Sequence, residues 1–217
     1  MRVRGVIFDF DGTLADTLPD IADAVNVGLE RFGLPRRPYE DVRGWVGEGL
    51  PTLCERALRA SGADVPLAEM VQVVTESYRA HRLDKTSPFP GIPELLDELT
   101  RRGIAICILT NKPHEHTTPM VQALFGRWAW HAVEGYREES RRKPDPRTTL
   151  EIVGRIGCER SEVLFVGDSF TDMHTAVNAG VVPVGATWGY RSRDELIAAG
   201  AAYLIDAPGE LLGVIDA

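Results

Sequence analysis

The stretch Val3-Arg4-Gly5-Val6-Ile7-Phe8, followed at once by Asp9-Phe10-Asp11-Gly12-Thr13, decides the fold class of this chain. Residues 3–8 form a short and nearly unbroken apolar run, the pattern of a strand buried on both faces of a parallel sheet. Open parallel sheets bind ligands beyond the carboxyl ends of their strands, and two carboxylates stand at that place here. Residues two apart on an extended chain point to one side, so Asp9 and Asp11 are expected to share a side. Carboxylates so close repel unless a proton or a cation separates them. A hard divalent ion such as Mg²⁺, which takes carboxylate and carbonyl oxygens, suits the pair. Gly12 lets the chain turn directly after it.

Working outward, short apolar runs alternate with helical patterns over the second half of the chain. Strands are expected at residues 104–109, 131–133, 163–166, 181–184 and 203–205, and helices at 92–102, 116–124, 146–156 and 172–179. Gly103, Gly157 and Gly180 stand where three of those helices stop. Such alternation implies βαβ units and a doubly wound parallel sheet, hence the α/β class. Between the first strand and this series lies a different stretch, helical throughout. Thr17 and Asp20 have capping-box-like spacing before Ile21, Val25, Leu29 and Phe32, and Gly33 ends that helix. Two more helices are expected at 51–60 and 67–82. Proline and turn residues mark linkers at 16–19 and 85–91. The expected organisation is therefore a discontinuous core, residues 1–16 and 84–217, interrupted by an all-helical cap, residues 17–83.

Composition narrows the function classes. The 217 residues are 44% apolar and 26% charged, near the globular average, which argues against disorder and coiled coils. The net charge of −8 and the absence of any basic block argue against nucleic-acid and anionic-membrane binding. An anionic ligand would then need a local positive site. Three cysteines, Cys54, Cys107 and Cys158, show neither a CxxC nor a disulfide framework, and so fit a reducing compartment. The first apolar run is too short for a signal peptide and no run is long enough for a membrane span, so a cytoplasmic location is expected.

Each later strand is followed by polar residues of a matching kind. Thr110-Asn111 follows the second long run, Gly167-Asp168-Ser169 and Asp172 follow another, and Lys143 precedes the helix expected at 146. Any one of these is commonly a cap, a turn residue or a solvated lysine. Together they bring carboxylates, a hydroxyl and an ammonium to one sheet edge. There Thr110 and Lys143 suit a phosphoryl group. One carboxylate can attack phosphorus, while the other serves the leaving oxygen as acid and the hydrolytic water as base. His114 and His116 have no third ligand at metal-site spacing and read as surface or helix-start residues. Trp128 and Trp130 read as packing residues, and Cys107 as core.

At these positions the chain resembles the haloacid dehalogenase-like hydrolases. The stretch from Asp9 to Thr17 resembles their first signature, Thr110-Asn111 the second, Lys143-Pro144 the third, and Gly167 to Asp172 the fourth. The resemblance implies a Rossmann-like core with a helical cap. It implies Asp9 as nucleophile and Asp11 as general acid/base, with Thr110, Asn111 and Lys143 at the phosphate. It also implies Mg²⁺ on Asp9, Asp168 and the Asp11 carbonyl, with Gly12 and Asp172 in support. Dehalogenating members lack the second carboxylate, so Asp11 favours phosphoryl transfer. In the cap, the loop carrying Arg43, Gly47, Glu48 and Gly49 resembles that of phosphoglycolate phosphatases, as do the stretches around 88–91 and 186–190. The expected substrate is a small phosphorylated metabolite, with 2-phosphoglycolate first. A β-phosphoglucomutase-like mutase, a pyrophosphate or sugar-phosphate hydrolase, and a catalytically silent interaction module remain open alternatives.

Overall fold

The computed structural model describes residues 2–217, and among them the chain divides into two compact units. One comprises the residues up to Ala15 together with Pro88–Ala217, and the other is Asp16–Ser87.

In chain order, β1 (Gly5–Phe8) is followed by the two-residue strand β2 (Ala15–Asp16). Then come four helices, α1 (Leu18–Arg31), α2 (Tyr39–Arg43), α3 (Leu50–Ser61) and α4 (Leu67–His81). The short strand β3 (Ser87–Pro88) precedes α5 (Ile92–Arg101), β4 (Ala105–Pro113), α6 (His114–Phe125) and β5 (Ala132–Tyr136). The series ends with α7 (Arg147–Ile156), β6 (Val163–Gly167), α8 (Phe170–Ala179), β7 (Val182–Ala186), α9 (Arg193–Ala198), β8 (Tyr203–Ile205) and α10 (Leu211–Asp216).

The larger unit holds a six-stranded sheet of order β5-β4-β1-β6-β7-β8, parallel at every pairing. β1 lies at its middle, flanked by β4 and β6, and is buried along its whole length. The strands alternate their side chains between two apolar layers. Ile7, Cys107, Leu109 and Phe165 pack with Ile152 and Val153 of α7 and Ala176 and Ala179 of α8. Val6, Phe8, Ile108 and Val166 are buried on the opposite face. Because the chain builds outward through β4 and β5 and then crosses to β6, the carboxyl ends of β4, β1 and β6 flank the crevice where the winding reverses. Trp128 and Trp130 pack around Phe125. The cysteines are free, with Cys54 and Cys107 buried. No helix among the described residues is long and apolar enough to cross a membrane.

The smaller unit is helical, with four helices where three were expected; the short α2 escaped notice because five residues show no helical period. Gly28 of α1 lets α4 approach closely: a Cβ there would stand 2.7 Å from the Val74 methyl and 2.9 Å from the Met70 sulfur. The capping box expected at Thr17 and Asp20 is absent. Thr17 makes no side-chain cap bond. Asp20 instead accepts the backbone N–H groups of Lys85 and Thr86, the latter at 2.8 Å, and the Thr86 hydroxyl at 2.7 Å. A nearly buried carboxylate with three donors around it is better satisfied than one reaching back to a single helix N–H.

Candidate active site

Asp9 lies one residue beyond β1 and is buried. Its backbone N–H donates to the Val166 carbonyl of β6 at 2.9 Å, and its Oδ1 accepts the Phe10 N–H at 2.7 Å. The chain then turns tightly: Leu14 and Ala15 both donate to the Phe10 carbonyl, and Gly12 takes φ +82°. A Cβ at Gly12 would overlap the Asp168 carboxylate, so glycine is needed here for space as well as for φ.

Asp168 follows β6 and is held on both oxygens. Oδ1 accepts the Thr13 hydroxyl at 3.2 Å and Oδ2 the Tyr190 N–H at 2.7 Å. Gly189 makes room for it, since a Cβ there would overlap the Asp168 side chain. Asp172 occupies the first turn of α8, where Ser169 is the N-cap; Ser169 N–H and hydroxyl both donate to Asp172 Oδ2, at 3.0 and 2.6 Å. That capping box starts α8 two residues before the expected position. A carboxylate at a helix N-terminus is also favoured by the helix dipole.

Lys143 joins these segments. Its Nζ lies 2.8 Å from Asp9 Oδ1 and 2.6 Å from Asp172 Oδ1, with its side chain 2% exposed. Asn111 fixes the backbone that carries it: the side-chain carbonyl accepts Lys143 N–H at 2.8 Å and the amide donates to the Lys143 carbonyl at 3.1 Å. Asn111, expected at the phosphate, clamps the Lys143 backbone with its side chain. The clamp pairs residues 32 apart, a separation at which local sequence carries no signal. Thr110 is buried at the same strand, its hydroxyl accepting the Lys112 N–H at 3.3 Å.

The Asp11 carboxylate pairs with Lys112, Nζ to Oδ1, at 3.0 Å, and its charge adds to those that push the Asp9 carboxyl up. The carboxylates brought together are Asp9, Asp168 and Asp172, each offering an oxygen within 4.8 Å of the others. Lys112, Thr13, Ser169 and Tyr190 had no role in the sequence reading. All four lie in stretches the sequence singled out, Thr13 and Ser169 beside the aspartates, Lys112 directly after Thr110 and Asn111, and Tyr190 at the end of 186–190.

The electrostatics follow from three buried carboxylates around one ammonium. Burial, then repulsion from Asp172, pushes the Asp9 carboxyl up to about 7 despite Lys143. Burial, then Asp172 and Asp9, pushes Asp168 up to about 8. Burial works to lower the Lys143 ammonium, but Asp172 and Asp9 outweigh it and hold its pKa above the ordinary lysine value. The site thus carries surplus negative charge in an all-oxygen setting, which fits a hard divalent cation.

In the smaller unit, Gly47 and Gly49 take φ +118° and +86°, and Gly49 caps α3. Arg43 is exposed at the end of α2. Glu48 is engaged by the Arg56 guanidinium, which also donates to the Trp45 carbonyl at 3.2 Å, so an unforeseen arginine braces the loop.

Comparison with known proteins agrees with this geometry. A family model described as haloacid dehalogenase-like hydrolase matches residues 6–186. The chain is 35% identical to a phosphoglycolate phosphatase of Pseudomonas savastanoi pv. phaseolicola, over 97% of this chain and 79% of that one. It is 33% identical to a phosphoglycolate phosphatase of Haemophilus influenzae, over 96% of both. A crystal structure described as a predicted phosphoglycolate phosphatase from Haemophilus somnus superposes with a TM-score of 0.92 at 26% identity, covering 99% of this chain and 98% of that one.

Proposed function

The chain belongs to the haloacid dehalogenase-like hydrolase family, and from that premise we propose that it is a Mg²⁺-dependent phosphomonoesterase hydrolysing 2-phosphoglycolate to glycolate and phosphate. The observation that carries the phosphatase reading is the Lys143 ammonium lodged between Asp9 and Asp172, with Asp168 alongside.

In this reading Asp9 attacks phosphorus, and the ester oxygen leaves with a proton from Asp11. Asp11 then takes a proton from the water that opens the aspartyl-phosphate, and Asp9 is restored. The Thr110 hydroxyl and Lys143 hold the phosphoryl oxygens, and Lys143 balances charge as it grows. Asn111 and Asp172 keep Lys143 in place. Asp9, Asp168 and the backbone carbonyl of Asp11 would hold Mg²⁺, which when bound screens the attacking carboxylate from the phosphate and draws charge from phosphorus. The loop bearing Arg43, Gly47, Glu48 and Gly49 is our candidate for substrate selection. Free thiols and an acidic surface suit a cytoplasmic enzyme of small metabolites.

The test is phosphate release from 2-phosphoglycolate, pyrophosphate, p-nitrophenyl phosphate and sugar phosphates with Mg²⁺. A kcat/KM preference for 2-phosphoglycolate of about 100-fold, equivalent to about 2.7 kcal/mol, is expected. A flat or sugar-favouring profile would remove the substrate while leaving the chemistry. Asp9→Asn should fold normally and lose turnover, and retained turnover would end the nucleophile assignment.

A further inference from the structure

We propose that Lys112 is a specificity-determining residue, recognising a carboxylate carried on the leaving group one methylene from the ester oxygen. The inference rests on the phosphoglycolate reading and names the group that recognises the substrate's second charge.

The backbone is built to deliver this side chain. β4 pairs regularly with β5 as far as Thr110 opposite Gly135, and pairing resumes at Pro113 opposite Tyr136. Asn111 and Lys112 are thus extra residues in a bulge, a device that re-aims side chains at a strand end. Asn111 goes to the backbone of Lys143 and Lys112 goes to Asp11. The Lys112 side chain is 5% exposed. A buried ion pair is a weak source of stability, and apolar residues of like volume commonly replace one at no loss. The fold alone therefore gives little reason for an ammonium here.

The two lysines divide the site. Lys143 lies between Asp9 and Asp172, on the side of the attacking carboxylate. Lys112 lies 3.0 Å from Asp11, the group that serves the leaving oxygen. A carboxylate joined to that oxygen through one methylene falls near the same ammonium. An ammonium has three N–H donors and can serve Asp11 and a substrate carboxylate together. A leaving group without a charge would leave Lys112 its pair with Asp11 but take away the second anion, and losing that contact is what disfavours an uncharged analogue.

The experiment compares 2-phosphoglycolate with its uncharged amide, 2-phosphoglycolamide, in the wild type, Lys112→Met and Lys112→Arg. The kcat/KM preference for the acid should fall about 10-fold or more in Lys112→Met, carried mainly by KM, and partly return in Lys112→Arg. An equal loss on both esters, or a preference kept intact in Lys112→Met, overturns the inference while the substrate reading stands. A wild type that does not distinguish acid from amide overturns the substrate reading itself, and this inference with it. If Lys112→Met does not fold by circular dichroism, a crystal structure of the wild type with glycolate and inorganic phosphate decides. Lys112 Nζ within hydrogen-bond distance of the glycolate carboxylate supports the inference, and a carboxylate held only by other groups overturns it.

Discussion

Asn111 and Lys143 show how one side chain can fix the backbone of another. Two hydrogen bonds of the Asn111 amide reach the backbone of a buried residue on a different segment. Asn111→Ala leaves that N–H and carbonyl without these partners, at a cost of about 1–3 kcal/mol for a buried polar group. The variant should unfold at lower urea concentration and show a higher KM, because Lys143 is freed from its setting. An unchanged KM would mean that Asp9 and Asp172 suffice to hold the lysine. Asn111 also marks the limit of reading residues one at a time: asparagine beside a strand-end threonine suggests a ligand contact, while these partners become visible only once β4 and the segment before α7 are adjacent.

The elements differ in how openly their sequences declare them. β1 and β6 are buried along their whole length, and continuous apolar runs announced both. α2 was silent because it is too short for a period, and α8 began early because Ser169 rather than Asp172 is its cap. α1 and α4 show a packing constraint that periodicity does not carry. Gly28→Ala gains about 1 kcal/mol of helix propensity, which offsets part of the overlap with Val74 and Met70. Gly28→Ile gains less propensity than alanine and adds far more bulk, and overpacking costs about 1–3 kcal/mol. Urea unfolding of Gly28→Ile should show a loss of this size, and an unchanged midpoint would mean that α1 and α4 readily separate.

At the scale of the whole molecule, four site carboxylates, Asp9, Asp11, Asp168 and Asp172, face two ammonium groups, Lys112 and Lys143. Fully ionised, they leave two negative charges unmatched, the charge of one divalent cation. The raised carboxyls set the direction of the pH dependence. Burial and mutual repulsion push the Asp9 and Asp168 carboxyls up to about 7 and about 8, against 3.8 for an unperturbed aspartate. Their contribution to stability is complete below pH 4 and is lost as pH rises through 7 and 8. Mg²⁺ binds the ionised form, so its stabilising effect should grow between about pH 6 and 8. Thermal unfolding with and without Mg²⁺ across that range checks this, and Asp168→Asn should flatten the trend. A Mg²⁺ increment independent of pH in the wild type would refute it.

By itself the sequence determined the class of fold and the inventory of chemistry, because both are written locally. A buried parallel strand is a continuous apolar run, and polar residues directly after such runs must lie at one sheet edge. The tertiary structure alone decided which of those residues meet. Asp11 met Lys112, Asn111 met the backbone of Lys143, and Asp20 took the returning chain at Lys85 and Thr86. Those pairings join residues up to 101 positions apart, and a buried charge or amide takes whichever partner the folded chain brings within hydrogen-bond distance.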